Sequence, residues 1–292
     1  MFVISGATGH VGSVVAKELL ANKQRIKAIV RNPEKGAALA KEGTELAVGS
    51  LDDRAFLTST LRGADGFFAM LPPPPFTTTD IYGYQQRLAD TIAAAVEAAA
   101  VPHVVMLSSI GADLPSGNGP IRGLNYLENG LRATATTLTA IRAGSFQENV
   151  GVLVGAARAA GIYPSFAPSA DTKEPMIATR DIGRLAAESL LRKPAKSEIV
   201  DLQGPSYSAT EVAAKLGSAL GKPLQVVVVP PAEWVNAMTQ AGLPRPFAEV
   251  YADMYAGFNA GRIRPVGDRL VQGTTPIDEV IQTVVRLPVA AD

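Results

Sequence analysis

The stretch FVISGATGHVG at the start of the chain constrains its fold more than any other: the apolar run Phe2-Val3-Ile4 ends in three glycines spaced three apart, Gly6, Gly9 and Gly12. That pattern predicts a short buried strand, a tight turn and an amphipathic helix from about Val14 (VVAKELLA). Glycine is a steric requirement where backbone must pass so close to a ligand that a β-carbon would collide with it. A helix beginning just beyond offers free N–H groups and its positive dipole end, which suits phosphate, and a dinucleotide is the natural ligand. Gly6, Thr8, Gly9, His10, Val11 and Gly12 are then the residues expected around a pyrophosphate.

The second apolar run, Ile26 to Val30, reads as the next strand, and its end is where such a fold reads the adenosine ribose. A carboxylate there would accept hydrogen bonds from ribose hydroxyls and repel a 2′-phosphate. This chain has Arg31, followed by Asn32 and Lys35. A guanidinium grips a phosphate through two charge-assisted hydrogen bonds, so the expected cofactor is NADP(H).

Beyond this point strands and helices alternate. Glu45 to Gly49 makes a third strand, and Ser50 and Leu51 at its end are expected near the adenine. Gly66 to Leu71 makes a fourth that four prolines stop at Pro72, placing Met70, Leu71 and Pro72 as an apolar wall beside the cofactor. An Ala-rich helix (82 to 100), a strand from His103 to Leu107 opening into Ser108-Ser109-Ile110-Gly111, a helix (123 to 133) and a strand (138 to 142) follow. Such alternation implies parallel pairing with right-handed crossovers: an α/β, Rossmann-type doubly wound sheet with ligands beyond the carboxyl ends of its strands. From about Ala143 the alternation fails. A helix from Thr179 to Leu191 and a strand from Ile199 to Leu202 return to the sheet, which divides the chain into 1–144 with 178–204 as the cofactor domain and 145–177 with 205–292 as a smaller, mostly C-terminal α+β lobe shaping the substrate cleft. In that lobe Ser208 caps a helix with Glu211 three residues on, and Gly221-Lys222-Pro223 ends it.

Composition narrows the function classes. The 27 basic residues balance 27 acidic ones and nowhere cluster with aromatics, so nucleic acid is not the expected partner. No apolar stretch reaches the length of a membrane span, no signal peptide pattern precedes the first strand, and the absence of cysteine fits a reducing, cytoplasmic setting. With only His10 and His103 and no thiolate, no metal centre is expected, and His103 at a strand start reads as structural. Trp234 lies in a helical pattern that reads as lobe core.

SGATGHVGSVV, AIVRNPEK, LSSIGAD, TAIRAGSFQENV and TRDIGRLAAESL together resemble the NmrA-like group of atypical short-chain dehydrogenase/reductases, over most of the first two hundred residues. The resemblance implies NADP(H) binding and one of two roles: reduction of a small quinone-like acceptor, or redox sensing through a regulatory protein, in either case as a monomer or homodimer. Ordinary short-chain dehydrogenases use a Tyr-x-x-x-Lys pair, in which lysine lowers the tyrosine pKa. Tyr126 has Gly130 four residues on, and Leu124 or Asn125 stands where the family keeps its lysine. The catalytic group is therefore unassigned on sequence, with Ser109 and Tyr126 as candidates. A quinone oxygen can take its proton from water, so binding geometry alone could support reduction. Ser108 is a candidate for the nicotinamide carboxamide, and Ser109, Ile110 and Phe146 for the acceptor, although serines in such turns also serve backbone groups. Glu148, where the family's chain crosses into the lobe, reads as structural.

Overall fold

The computed structural model describes residues 1–192 and 194–286; position 193 and the tail 287–292, placed on sequence in the cofactor domain and the smaller lobe, lie outside the described residues. In chain order the first half runs β1 (Phe2–Ile4), α1 (His10–Ala21), β2 (Ile26–Val30), α2 (Pro33–Lys41), β3 (Glu45–Val48), α3 (Arg54–Leu61), β4 (Gly66–Met70), α4 (Ile81–Ala98), β5 (His103–Ser109), α5 (Arg122–Arg132) and β6 (Thr137–Ala143). The second half adds β7 (Ser145–Phe146), α6 (Val150–Ala160), β8 (Ile162–Ser165), β9 (Glu174–Ile177), α7 (Thr179–Arg192), β10 (Glu198–Gln203), β11 (Ser206–Tyr207), α8 (Ala209–Leu220), β12 (Gln225–Val228), α9 (Trp234–Gln240), α10 (Arg245–Asn259), β13 (Arg269–Gln272) and α11 (Ile277–Val284).

Eight strands form one parallel sheet in the order β13-β10-β6-β5-β4-β1-β2-β3. Phe2 pairs with Ile26 on one side and Gly66 on the other, so the chain reverses its direction of growth across β1 and β4. That switch opens a crevice at the carboxyl edge of the sheet. Phe67 and Phe68 are both fully buried and, as neighbours on a strand, point to opposite faces. Phe68 packs with Val15, Leu19, Ile182 and Leu190 of α1 and α7, while Phe67 packs with Leu57, Ile92 and Leu131 of α3, α4 and α5. Each ring contributes about 1.5–3 kcal/mol by burial and ties one helical layer to the sheet.

The remaining elements cover the carboxyl edge. Val154, Val212, Leu216 and Ile281 join α6, α8 and α11 into a separate core, and Trp234 is buried with Met238 and Ala248 between α9 and α10, its indole N–H donating to Val229 O. Ser208 and Glu211 form the capping box the sequence predicts, and Gly221 ends α8 in the left-handed region (φ +71°).

Three differences from the sequence reading bear on the sheet and its carboxyl edge. Helix α1 begins at His10 because Gly9 is its N-cap. Strand β5 runs on through Ser108 and Ser109, which pair with Arg142 and Ala143. Arg269–Gln272, assigned on sequence to the lobe, instead pairs with β10 from Val200 to Gln203 and covers that edge of the sheet. Its run RLVQ is too short to signal a strand; the preceding loop places it, with Asp268 accepting from Ile199 N–H and Gly267 N–H donating to Asp201.

Candidate functional site

The three glycines perform three separate tasks. Gly6 takes φ +63°, a left-handed turn that favours glycine, and the Met70 side chain occupies the space a β-carbon would need. A β-carbon on Gly12 would overlap the Gly6 carbonyl, so the third glycine lets α1 pack directly on the turn. Gly9 is exposed, and a β-carbon there would meet only Gly6 O, at 3.3 Å; beyond it lies open space. No side chain caps α1. Gly9 N–H donates to Gly6 O and Ser13 N–H to Gly9 O, which leaves the amides of His10, Val11 and Gly12 without a protein acceptor among the described residues. This is an anion cradle, and the chain fits a pyrophosphate there. Thr8 and His10 are exposed at its rim, whereas Val11 is buried and offers its amide alone.

At the end of β2, Arg31 and Lys35 are exposed and form no ion pair among the described residues, so both cations are available. Asn32 has a local task that the sequence reading did not give it: its Oδ1 accepts from Glu34 N–H at 2.8 Å and caps α2. Gly49 N–H donates to Val30 O, which brings Ser50 and half-buried Leu51 alongside that corner. On the other side of the turn, buried Ser5 donates to Phe68 O and accepts from Met70 N–H, holding Met70 over Gly6. Half-buried Leu71 leans on the opposite core, and Pro72 follows it along the edge.

Ser108 corrects the sequence reading. Its hydroxyl donates to Glu128 Oε1 at 2.6 Å and is buried, because β5 continues through it and turns its side chain inward. Glu128 also accepts from Arg142 Nε (2.9 Å) and Nη2 (2.7 Å), with Asp113 3.6 Å from the guanidinium. Burial alone would lower the Arg142 pKa; the hydrogen bond and charge of Glu128 outweigh it and hold it above its ordinary value. Ser108 therefore belongs to a buried ionic network beneath the edge, not to the cofactor surface.

Ser109 donates to Ile110 O at 3.1 Å, and Ile110 lines a cavity of about 380 Å³. That cavity sits at the carboxyl ends of β5, β6 and β10, where Ile110, Gly144, Ser145 and Gln203 form its floor, with 168–175 and 258–265 as walls. Phe146 packs instead against the α1 and α7 core. Glu148 accepts from Thr179 N–H and Oγ1 and so caps α7. Buried His103 lies 3.2 Å from Thr139 Oγ1. Tyr126 is not among the cavity's lining residues: its hydroxyl accepts from Arg122 Nη2 at 3.0 Å, and that guanidinium lies over the rings of both Tyr82 and Tyr126. Helix α5 contains no lysine.

The walls contain residues the sequence reading missed, notably Lys173, Glu174, Phe258, Ile263 and Arg264. Burial pushes the Glu174 carboxyl above the ordinary carboxylate value. Tyr163 and Tyr255 are pushed up to about 12, mainly by burial, with the charge of Glu174 adding to both.

A parallel doubly wound sheet with an uncapped helix start at its switch point, and a separate cavity on the same edge, is the architecture of a dinucleotide-binding α/β protein with room for a second ligand. The chain belongs to the NmrA-like family, which it matches over residues 1–284. It is 29% identical over 259 residues to the NAD(P)H azoreductase of Xenophilus azovorans, covering 88% of this chain and 86% of the relative. It is 27% identical over 264 residues to quinone oxidoreductase 2 of Escherichia coli, covering 89% of each. The crystal structure of an NADPH-dependent quinone oxidoreductase from Escherichia coli superposes with a TM-score of 0.75 at 25% identity, covering 100% of this chain and 96% of that one.

Proposed function

We propose that the protein is an NADPH-dependent reductase that acts on a small apolar acceptor of the quinone or azo type. The observation that carries this reading is a single edge of the sheet bearing both an α1 N-terminus that no side chain caps, flanked by Arg31, which makes no ion pair among the described residues, and a separate cavity floored by β5, β6 and β10. NADPH, when bound, supplies the hydride. The amides of His10, Val11 and Gly12 hold its pyrophosphate, and Arg31 with Lys35 holds the 2′-phosphate that distinguishes it from NADH. Ile110, Phe258 and Ile263 give the acceptor an apolar surface and exclude water from it. The azoreductase and quinone oxidoreductase relatives support the same chemistry. They give no support to a sensor acting through a protein partner, the alternative that the resemblance alone leaves open.

The test is steady-state oxidation of NADPH by the purified protein with a panel of quinones and azo compounds. The reading requires acceptor-dependent oxidation well above the buffer rate with at least one of them. Oxidation no faster than buffer with every acceptor overturns it.

A further inference from the structure

Glu174 opens β9 and faces the cavity at the sheet edge, where Ile110, Ser145, Gln203, Phe258 and Ile263 share the lining. Its carboxyl is half-buried, yet it takes part in no hydrogen bond or ion pair among the described residues. Its acidic neighbours are all engaged. Glu148 caps α7, Glu211 holds the Ser208 amide and Lys173, Asp171 accepts from Thr210, and Asp181 accepts from Thr275. A carboxyl left without a partner in a mostly apolar cavity is less favourable as a charge than it is in water, and burial raises its pKa above the ordinary carboxylate value.

We propose that Glu174, in its protonated form, is the proton donor to the reduced acceptor in this cavity; the proposal rests on the reductase reading above. The groups facing it are Tyr163 from β8, Tyr255 from α10, Tyr207 opposite it on β11, Lys173 beside it and Arg264 from the loop after α10. Tyr163 and Tyr255, pushed up to about 12, keep their protons at neutral pH and are poor acids. Lys173 is paired with Glu211, and an arginine does not release a proton. Burial raises the Glu174 carboxyl above its ordinary value, the direction that favours a proton donor.

With an azo acceptor the step balances as follows. Hydride addition to one nitrogen breaks the N=N π bond, forms one N–H bond and leaves an electron pair on the other nitrogen. That nitrogen takes the Glu174 proton, which gives the hydrazo product and a carboxylate that water reprotonates; the acceptor is reduced by two electrons and NADPH is oxidised to NADP⁺. A quinone reduced by hydride leaves a phenolate, whose charge is spread over the ring and which can form without a proton arriving in the same step, whereas the nitrogen anion is too unstable to form unprotonated. The two acceptors should therefore depend on Glu174 to different extents.

The test compares wild type with Glu174→Gln, which keeps the shape and removes the proton. The azo kcat should fall by about 100-fold, within the range for loss of a general acid, and the quinone kcat by less than about tenfold, with KM and NADPH affinity within about threefold. The wild-type azo rate should decline as pH rises through the Glu174 pKa, and that limb should be absent in Glu174→Gln. A readout independent of turnover is ¹³C NMR of the cofactor-free protein labelled at the glutamate carboxyl. One resonance, missing in Glu174→Gln, should titrate above the ordinary glutamate value of about 4.3. An equally active Glu174→Gln in an active wild-type background, or a resonance titrating at or below that value, overturns the proposal alone. A wild type that reduces neither acceptor overturns the reductase reading and the proposal together.

Discussion

Replacing Arg31 by aspartate tests the reading of the cofactor corner, and the structure sets the size of the effect. The side chain is exposed and makes no ion pair among the described residues, so the fold should lose less than about 0.5 kcal/mol and the melting temperature should hardly move. Binding is another matter. A charge-assisted hydrogen bond to phosphate contributes about 1.5–3 kcal/mol, and a guanidinium can make two. Solvent screening at an exposed corner, together with neighbouring Lys35, which stays in place, reduces that gross value. The new carboxylate then adds repulsion. A net loss of about 2–3 kcal/mol follows, which is roughly 30–150-fold in the NADPH dissociation constant. NADH lacks the 2′-phosphate, and its affinity should change by less than about threefold. Calorimetric titration of wild type and Arg31→Asp with both nucleotides gives the four numbers needed. Equal affinity of the wild type for NADH and NADPH, or an Arg31→Asp protein that binds NADPH within threefold of wild type, would refute the reasoning.

Three further outcomes are expected. Gly9→Val should fold normally by circular dichroism, because φ −94° and ψ 177° suit any residue, yet lose NADPH binding as its side chain fills the open space above the turn; normal affinity would place the phosphate site elsewhere. Tyr126→Phe should slow quinone reduction by less than about tenfold, since the hydroxyl is held by Arg122 and lines no part of the cavity, and a collapse by 10²-fold or more would identify it as a general acid after all. Burial pushes the Tyr163 hydroxyl up to about 12, above its ordinary 10.0, so its stabilisation is complete below about pH 10 and is lost as pH rises toward 12, by up to about 1.4 kcal/mol per pH unit. Urea unfolding across that window should show the decline, and Tyr163→Phe should make it shallower, leaving the share of Tyr255, which is also pushed up to about 12.

The strand, glycine turn and helix that open the chain, and the position of Arg31 after β2, were legible because their signals are local. Gly6, Gly9 and Gly12 fall within seven residues, and Arg31 follows the second strand directly, so strand, turn and helix periods place them without tertiary information. Ser108 was misplaced for a related reason: a serine pair after an apolar run reads as a turn, and only pairing with β6 shows that the strand continues and turns that hydroxyl toward Glu128. The cavity was legible in sequence only at Ile110, and the rest of its lining was not. Its lining comes from Ile110, Ser145, Glu174, Gln203 and Ile263, which the fold brings together from five separate segments. Nothing around Glu174 marks it out in sequence, because its burial comes from elements far away along the chain. Strand β13 escaped for the same reason, being four residues long and specified by β10 and the loop before it.

The most direct test of the account is a crystal structure of the protein with NADP⁺. The pyrophosphate should lie across the amides of His10 to Gly12, the 2′-phosphate should lie within hydrogen-bonding distance of Arg31, and the nicotinamide should open onto the cavity lined by Ile110 and Glu174. A dinucleotide bound elsewhere, or a nicotinamide ring walled off from that cavity, would contradict the claim that cofactor and acceptor meet at this edge of the sheet.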